Sequence, residues 1–178
     1  MNEKKEAVKL FKKQPATNYI LYSLILAAGI ILDQLTKFLA VKFLKPVGSV
    51  PLWEGVLHLT YVENRGAAFG MLANQRWIFI AVSTVVIIAF LYYLYSGYAG
   101  GGLQAIAVAM VTSGGIGNMI DRLALGYVVD FIDFTLIDFA VFNGADSFVC
   151  VGAGLLILAL ILEMVREERE KKDKGEGK

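Results

Sequence analysis

The chain has 178 residues, is 57% hydrophobic and carries a formal net charge of +1 from 17 basic and 16 acidic residues. So large an apolar share exceeds that of ordinary soluble domains. The single cysteine, Cys150, excludes an intramolecular disulfide.

Residues 1–17 form a lysine-rich tail with Lys4, Lys5, Lys9, Lys12 and Lys13. No small-residue cleavage site followed by a soluble domain comes after the first apolar run, so that run reads as a retained span rather than a cleaved signal. A spanning helix needs about 20 mostly apolar residues. The first such segment covers about 18–44, and its second half is interrupted by Asp33, Gln34, Thr36 and Lys37. Asp33 and Lys37 are spaced i, i+4 and can pair. The pair either fixes the first helix against its neighbours or meets a headgroup or substrate.

Residues 45–76 form a long connection. "PVGSVPLWEG" supplies turn signals, and "VLHLTYV" has the β-branched and aromatic content of a strand. Residues 67–73 are read as a short amphipathic helix lying in the membrane interface. The second span, about 77–95, carries no charge, and "SGYAGGG" turns the chain into a third span, about 103–120. Within "GGIGNMIDR", Gly114 and Gly117 permit close helix approach in lipid. Asn118, Asp121 and Arg122 are spaced i, i+3, i+4 on one face, which serves a structural or a catalytic purpose equally well.

In residues 121–142, "YVVDFIDF" is strand-like and places Asp130 and Asp133 among apolar side chains. The fourth span, about 143–165, opens with Asn143 and Asp146. Both suit a helix N-terminus, but a cap accounts less well for a carboxylate one turn into an apolar helix. Residues 166–178 are a charged, solvated tail.

Four spans place both termini on one side, and the lysine-rich ends make that side cytoplasmic. The polar residues therefore gather at the opposite, outer surface. Ionisable residues bordering a span are costly and invite a functional explanation. Two carboxylates held close in a poorly solvated site share a proton and titrate as a unit. One can then take a proton from water while the other donates to a carbonyl oxygen. The remaining inventory offers less. His58 alone cannot build a multi-histidine metal site. Cys150 has no adjacent base, and Ser147 has no lysine or histidine partner.

Five stretches in order, "DQLTK" (33–37), "NRGAAFG" (64–70), "GGIGNMIDR" (114–122), "VVDF" (128–131) and "FNGAD" (142–146), resemble the bacterial lipoprotein signal peptidases, signal peptidase II. The chain departs from that pattern at Gly144, where an aliphatic residue is expected, and in the length of its N-terminal tail. The resemblance implies an all-α membrane protein. It would have four transmembrane helices, a small extracytoplasmic β-sheet and a short interfacial helix, with a peptidase domain over 18–165. It implies an aspartic endopeptidase of the bacterial inner (plasma) membrane that cuts diacylglyceryl-modified prolipoproteins just before the lipidated cysteine and is blocked by globomycin. Carried over by motif, the catalytic pair is Asp130 and Asp146, with Asp121 the rival for the first place. Asn64, Gly66, Asn118, Arg122 and Asn143 would bind substrate or support the pair, and Asp33, Lys37 and Asp121 would be structural. The segment after Asn64 would act as a lid. No metal, cofactor or nucleic-acid partner is expected; membrane lipid is, and one chain suffices for the site.

Three rivals remain. The Gly-x-Gly-Asp motif of presenilin-like peptidases is absent. A metal-dependent lipid-headgroup transferase would need a helix-borne aspartate series. A transporter subunit would need a polar route across the membrane.

Overall fold

The computed structural model describes residues 15–66, 75–97, 99 and 101–173. The segment read as an interfacial helix, 67–73, lies outside the described residues. Four helices are long and apolar enough to cross a membrane: α1 (Ala16–Leu39, extended by a π-helical turn, Ala40–Leu44), α2 (Arg76–Tyr95), α3 (Gly102–Ala124) and α4 (Gly144–Asp173). A three-stranded antiparallel sheet, β1 (Ser49–Trp53), β2 (Leu57–Asn64) and β3 (Val128–Asp133), sits at the end of the bundle where α1 and α3 finish and α2 and α4 begin.

The helices are built inside out. In α1 the buried residues are Tyr22, Leu26, Gly29, Asp33 and Lys37. Steps of three and four keep them on one stripe of a 3.6-residue helix. The charges that interrupt the apolar run therefore face the bundle. Leu24, Ile31, Leu35 and Phe38 point outward and are at least half exposed, as suits a lipid-facing surface.

Helix α3 is central and packs against α1, α2 and α4. Its contact with α4 rests on small residues. A Cβ added at Gly114 would strike the carbonyl oxygen of Ala145, and one at Gly117 would strike the carboxylate of Asp33. These two glycines let both neighbouring helices approach α3 near the sheet end.

The sheet order is β1-β2-β3. The stretch read only as turn signals contains β1, which is exposed throughout. Its Pro51 is tolerated because β1 is an edge strand. A tight turn with Gly55 at φ +71° leads into β2. The sheet rests on the π-helical turn of α1, where Ala40, Leu44 and Val129 are buried with Leu59, Tyr61 and Phe131 around them. The helix of α4 runs on to Asp173, so residues 166–173 of the charged tail are an exposed helical extension.

Candidate functional site

Strand β3 and the first turn of α4 meet through a short pinned connection. Phe142 bridges to Ile132: its N–H donates to the Ile132 carbonyl at 3.0 Å, and its carbonyl accepts from Ile132 at 2.8 Å. The next residue, Asn143, therefore lands against Asp130. Its Nδ2 donates to Asp130 Oδ1 at 2.6 Å. Asn143 also starts α4. Its Oδ1 accepts from the Asp146 N–H at 2.9 Å, while Asp146 Oδ2 accepts from the Asn143 N–H at 3.2 Å. This reciprocal pair is a capping box with aspartate at its third position. Asp146 is thus a cap after all. Its second oxygen, Oδ1, remains for other use and accepts from Asn118 Nδ2 at 2.8 Å.

Three asparagines orient the two carboxylates. Asn64 Oδ1 accepts from the Gly66 N–H at 2.9 Å, which turns its Nδ2 toward Asp130 Oδ2 at 2.8 Å. Asn118 Oδ1 accepts from Lys37 Nζ at 2.9 Å and from Asn143 Nδ2 at 3.1 Å, which leaves its Nδ2 for Asp146. Asn143 touches both acids. Each carboxylate so receives two donors, which favours the ionised form. Burial outweighs this at Asp130, and Asp146 adds a like charge, so the Asp130 carboxyl is pushed up to about 6.

The two acids line one cavity of about 640 Å³ together with Asn64, Gly66, Asn118 and Arg122. Its other walls are mainly apolar, with Phe79, Val128, Phe139, Phe142 and Val151 among them. Phe142 stacks on Phe134 at 5.8 Å and meets Phe139 edge-on at 5.9 Å. The Arg122 guanidinium lies 4.8 Å from the centre of the Phe79 ring and donates to the Gly66 carbonyl at 3.3 Å. Volume and lining suit a ligand that is mostly apolar, with a few polar groups to orient it. Among the described residues, no three His, Cys, Asp or Glu side chains converge as a metal site would need.

Asp121 turns away from this cavity. Residues 118, 121 and 122 share a broad face, but at 100° per residue Asp121 and Arg122 diverge to either side of Asn118. Asp121 pairs with Lys37 at 3.1 Å, takes Gln34 Nε2 at 3.0 Å and accepts from the Val129 N–H at 3.0 Å. Lys37 also pairs with Asp33 at 2.9 Å, as the i, i+4 spacing allows. Asp33 accepts from the Ala145 N–H at 2.8 Å, tying α1 to the positive end of α4. Asp33 and Lys37 are 1% and 3% exposed, out of reach of a headgroup. Gln34 was legible in the sequence as a polar interruption of α1. Its task, joining Asp33, Asp121 and the Gly117 carbonyl, was not. The aromatic wall from α2 and from residues 139–142 had no sequence signal beyond hydrophobicity.

Asp133 accepts from Thr60 Oγ1 at 2.7 Å within the sheet. Ser147, the residue after Asp146, and Cys150, one turn further along α4, also line the cavity.

The model of the family described as signal peptidase (SPase) II matches residues 25–162. Among relatives named lipoprotein signal peptidase, one from Caldanaerobacter subterraneus subsp. tengcongensis is 50% identical over 139 residues, covering 78% of this chain and 94% of the relative. One from Halothermothrix orenii is 47% identical, covering 74% and 88%. One from Halalkalibacterium halodurans is 41% identical, covering 88% and 99%. Two solved structures, each described as a bacterial membrane enzyme, superpose with TM-scores of 0.72 and 0.69 at 32% and 33% identity. They cover 81% and 79% of this chain and 89% and 92% of theirs. Matched by that family model over residues 25–162 and by such relatives along most of its length, the chain belongs to the signal peptidase II family, the membrane peptidases that process lipoproteins.

Proposed function

We propose that the chain is an aspartic endopeptidase whose catalytic pair is Asp130 and Asp146. Its substrate is a diacylglyceryl-modified prolipoprotein, cut immediately before the lipidated cysteine. The observation that carries this reading is that a buried carboxylate, Asp130, and a half-buried one, Asp146, face one apolar cavity and are bridged by Asn143, while Asp33 and Asp121 are paired elsewhere with Lys37.

The chemistry follows from the shared proton. The ionised member of the pair takes a proton from a water as the water oxygen bonds to the scissile carbonyl carbon. The protonated member gives its proton to the carbonyl oxygen. Collapse of the diol breaks the C–N bond, and the amine leaves with a proton from the pair. Asn143, Asn64 and Asn118 hold the carboxylates in register for this exchange, and Arg122 with Gly66 binds the substrate backbone. Asp33, Lys37 and Asp121 brace the helices. The candidate lid after Asn64 runs into residues 67–74, outside the described residues.

The bilayer supplies the lipidated substrate laterally. The site lies near the outer leaflet of the bacterial inner membrane, both termini are cytoplasmic, and one chain is the working unit. Globomycin occupies the cavity and blocks it.

The test is cleavage of a prolipoprotein by purified enzyme in detergent, with and without its diacylglyceryl group, comparing wild type, Asp130→Asn, Asp146→Asn and Asp121→Asn. Loss of turnover in the first two variants with folding intact is expected. Full activity in Asp130→Asn, with Asp121→Asn folded but inactive, would move the pair to Asp121 and Asp146.

A further inference from the structure

A second cavity, of about 520 Å³, lies apart from the site described above. It opens between the last turns of α1 and all three strands, lined by Leu39, Ala40, Phe43, Val50, Leu59 and Phe131. Thr36 also borders it, but its hydroxyl is already committed to the carbonyls of Leu32 and Asp33, both at 2.9 Å. The groove thus offers an occupant mainly apolar contact and no side-chain donor. Leu39, Phe43 and Val50 are 42%, 62% and 41% exposed, on the surface that the span turns to lipid.

One cation stands on the same turn. The ammonium of Lys42, next to Phe43, is 5.1 Å from the centre of that ring and 5.9 Å from the centre of the Phe38 ring. Among the described residues no carboxylate pairs with it, whereas its neighbour Lys45 is held by Glu63 at 3.0 Å. A basic side chain flanked by aromatics at the end of a span is the usual anchor at the membrane interface.

We infer that this groove is a binding site for an anionic phospholipid, one acyl chain lying between the π-helical turn of α1 and the sheet and the phosphate resting on Lys42. Charge complementarity selects the occupant: the phosphate of a zwitterionic lipid is offset by that lipid's own cation, whereas an anionic lipid keeps a net negative charge for the Lys42 ammonium. The groove shares the sheet with Asp130, since Phe131 and Leu59 wall it while Asp130 and Asn64 face the other cavity. A bound lipid would therefore brace β3 from behind. The inference rests on the chain's lying in a membrane and not on the peptidase reading.

The experiment is native mass spectrometry of the full chain in detergent, titrated with phosphatidylglycerol or phosphatidylcholine. Wild type is expected to retain one phosphatidylglycerol in preference to phosphatidylcholine. Lys42→Gln should lower that preference about fivefold, the factor one lysine contributes near an anionic lipid surface. Val50→Trp, which fills the groove from an exposed position, should lower retention of both lipids. Thermal midpoints of the lipid-free proteins check that both variants fold, and Val50→Ala, which enlarges the groove, stands in if the tryptophan does not: it should leave the preference intact. Equal retention of the two lipids by wild type, or undiminished preference in Lys42→Gln, overturns the inference. Displacement of the retained lipid by a diacylglyceryl peptide also overturns it, because the groove would then hold the substrate's own chains.

Discussion

At the scale of single residues, placement decides which of several aspartates is free to react. Asp33 and Asp121 share Lys37 and accept from backbone N–H groups and Gln34. Removing the cation would leave two buried carboxylates facing each other. Lys37→Met is expected to destabilise by about 3–5 kcal/mol, the usual consequence of orphaning a buried charge, seen as a fall in the thermal midpoint in detergent. Asp130 carries the opposite burden. Its carboxyl is raised to about 6 by burial and by Asp146, so the folded state holds the proton more tightly than the unfolded chain, whose aspartates titrate near pH 3.9. The fold gains stability from this group below about pH 4 and loses it as pH rises through about 6. Thermal midpoints of Asp130→Asn should therefore fall less than those of wild type between pH 4 and pH 7. In wild type, kcat/KM should decline on the alkaline side as the pair gives up its shared proton, a limb that belongs to both acids together. A profile flat from pH 5 to pH 8 would contradict a proton-sharing pair.

At the scale of elements, backbone proximity sets the geometry of the polar centre. Gly114 and Gly117 bring α3 against the start of α4 and the middle of α1. Gly114→Ala drives a methyl into the Ala145 carbonyl, one residue from Asp146. It should lower both the thermal midpoint and kcat. Gly154 of α4 is the control, because a Cβ there meets nothing. Gly154→Ala should raise stability by about 0.5–1 kcal/mol through helix propensity alone and leave cleavage unchanged. Equal effects of the two substitutions would show that packing at Gly114 is not what holds the site. The spans were legible because 3.6-residue spacing and length announce them. β1 was not, because Pro51, Gly48 and Gly55 read as punctuation. What makes it a strand is β2 alongside, with Val50 opposite Leu59 and Pro51 opposite His58.

At the scale of the whole molecule, the proposed topology has four spanning helices returning the chain to the side from which it began. In that proposal the uneven charge sets the sense of insertion, with eleven of the seventeen basic residues at the two ends. Tags placed at either terminus should be digested by protease in inside-out vesicles and protected in right-side-out ones. Opposite behaviour of the two tags would break the four-span reading. The helical extension beyond Val165 is exposed along its length. Ending the chain after Val165 should leave the thermal midpoint and the cleavage rate as they are.

The sequence by itself determined the membrane class, the spans, the family resemblance and the roster of polar residues, because hydrophobic length, periodicity and motif order are local properties of the chain. Only the tertiary structure decided how that roster divides. Asp121, Asp130 and Asp146 are chemically alike, and spacing could not say which meets Lys37 and which meets the cavity. That depends on residues 13 to 112 positions apart coming within hydrogen-bond reach: Asn143 beside Asp130, Asn118 beside Asp146, Asp33 beneath the first turn of α4. A carboxylate's behaviour follows from its burial and its donors, and both are supplied by other parts of the fold.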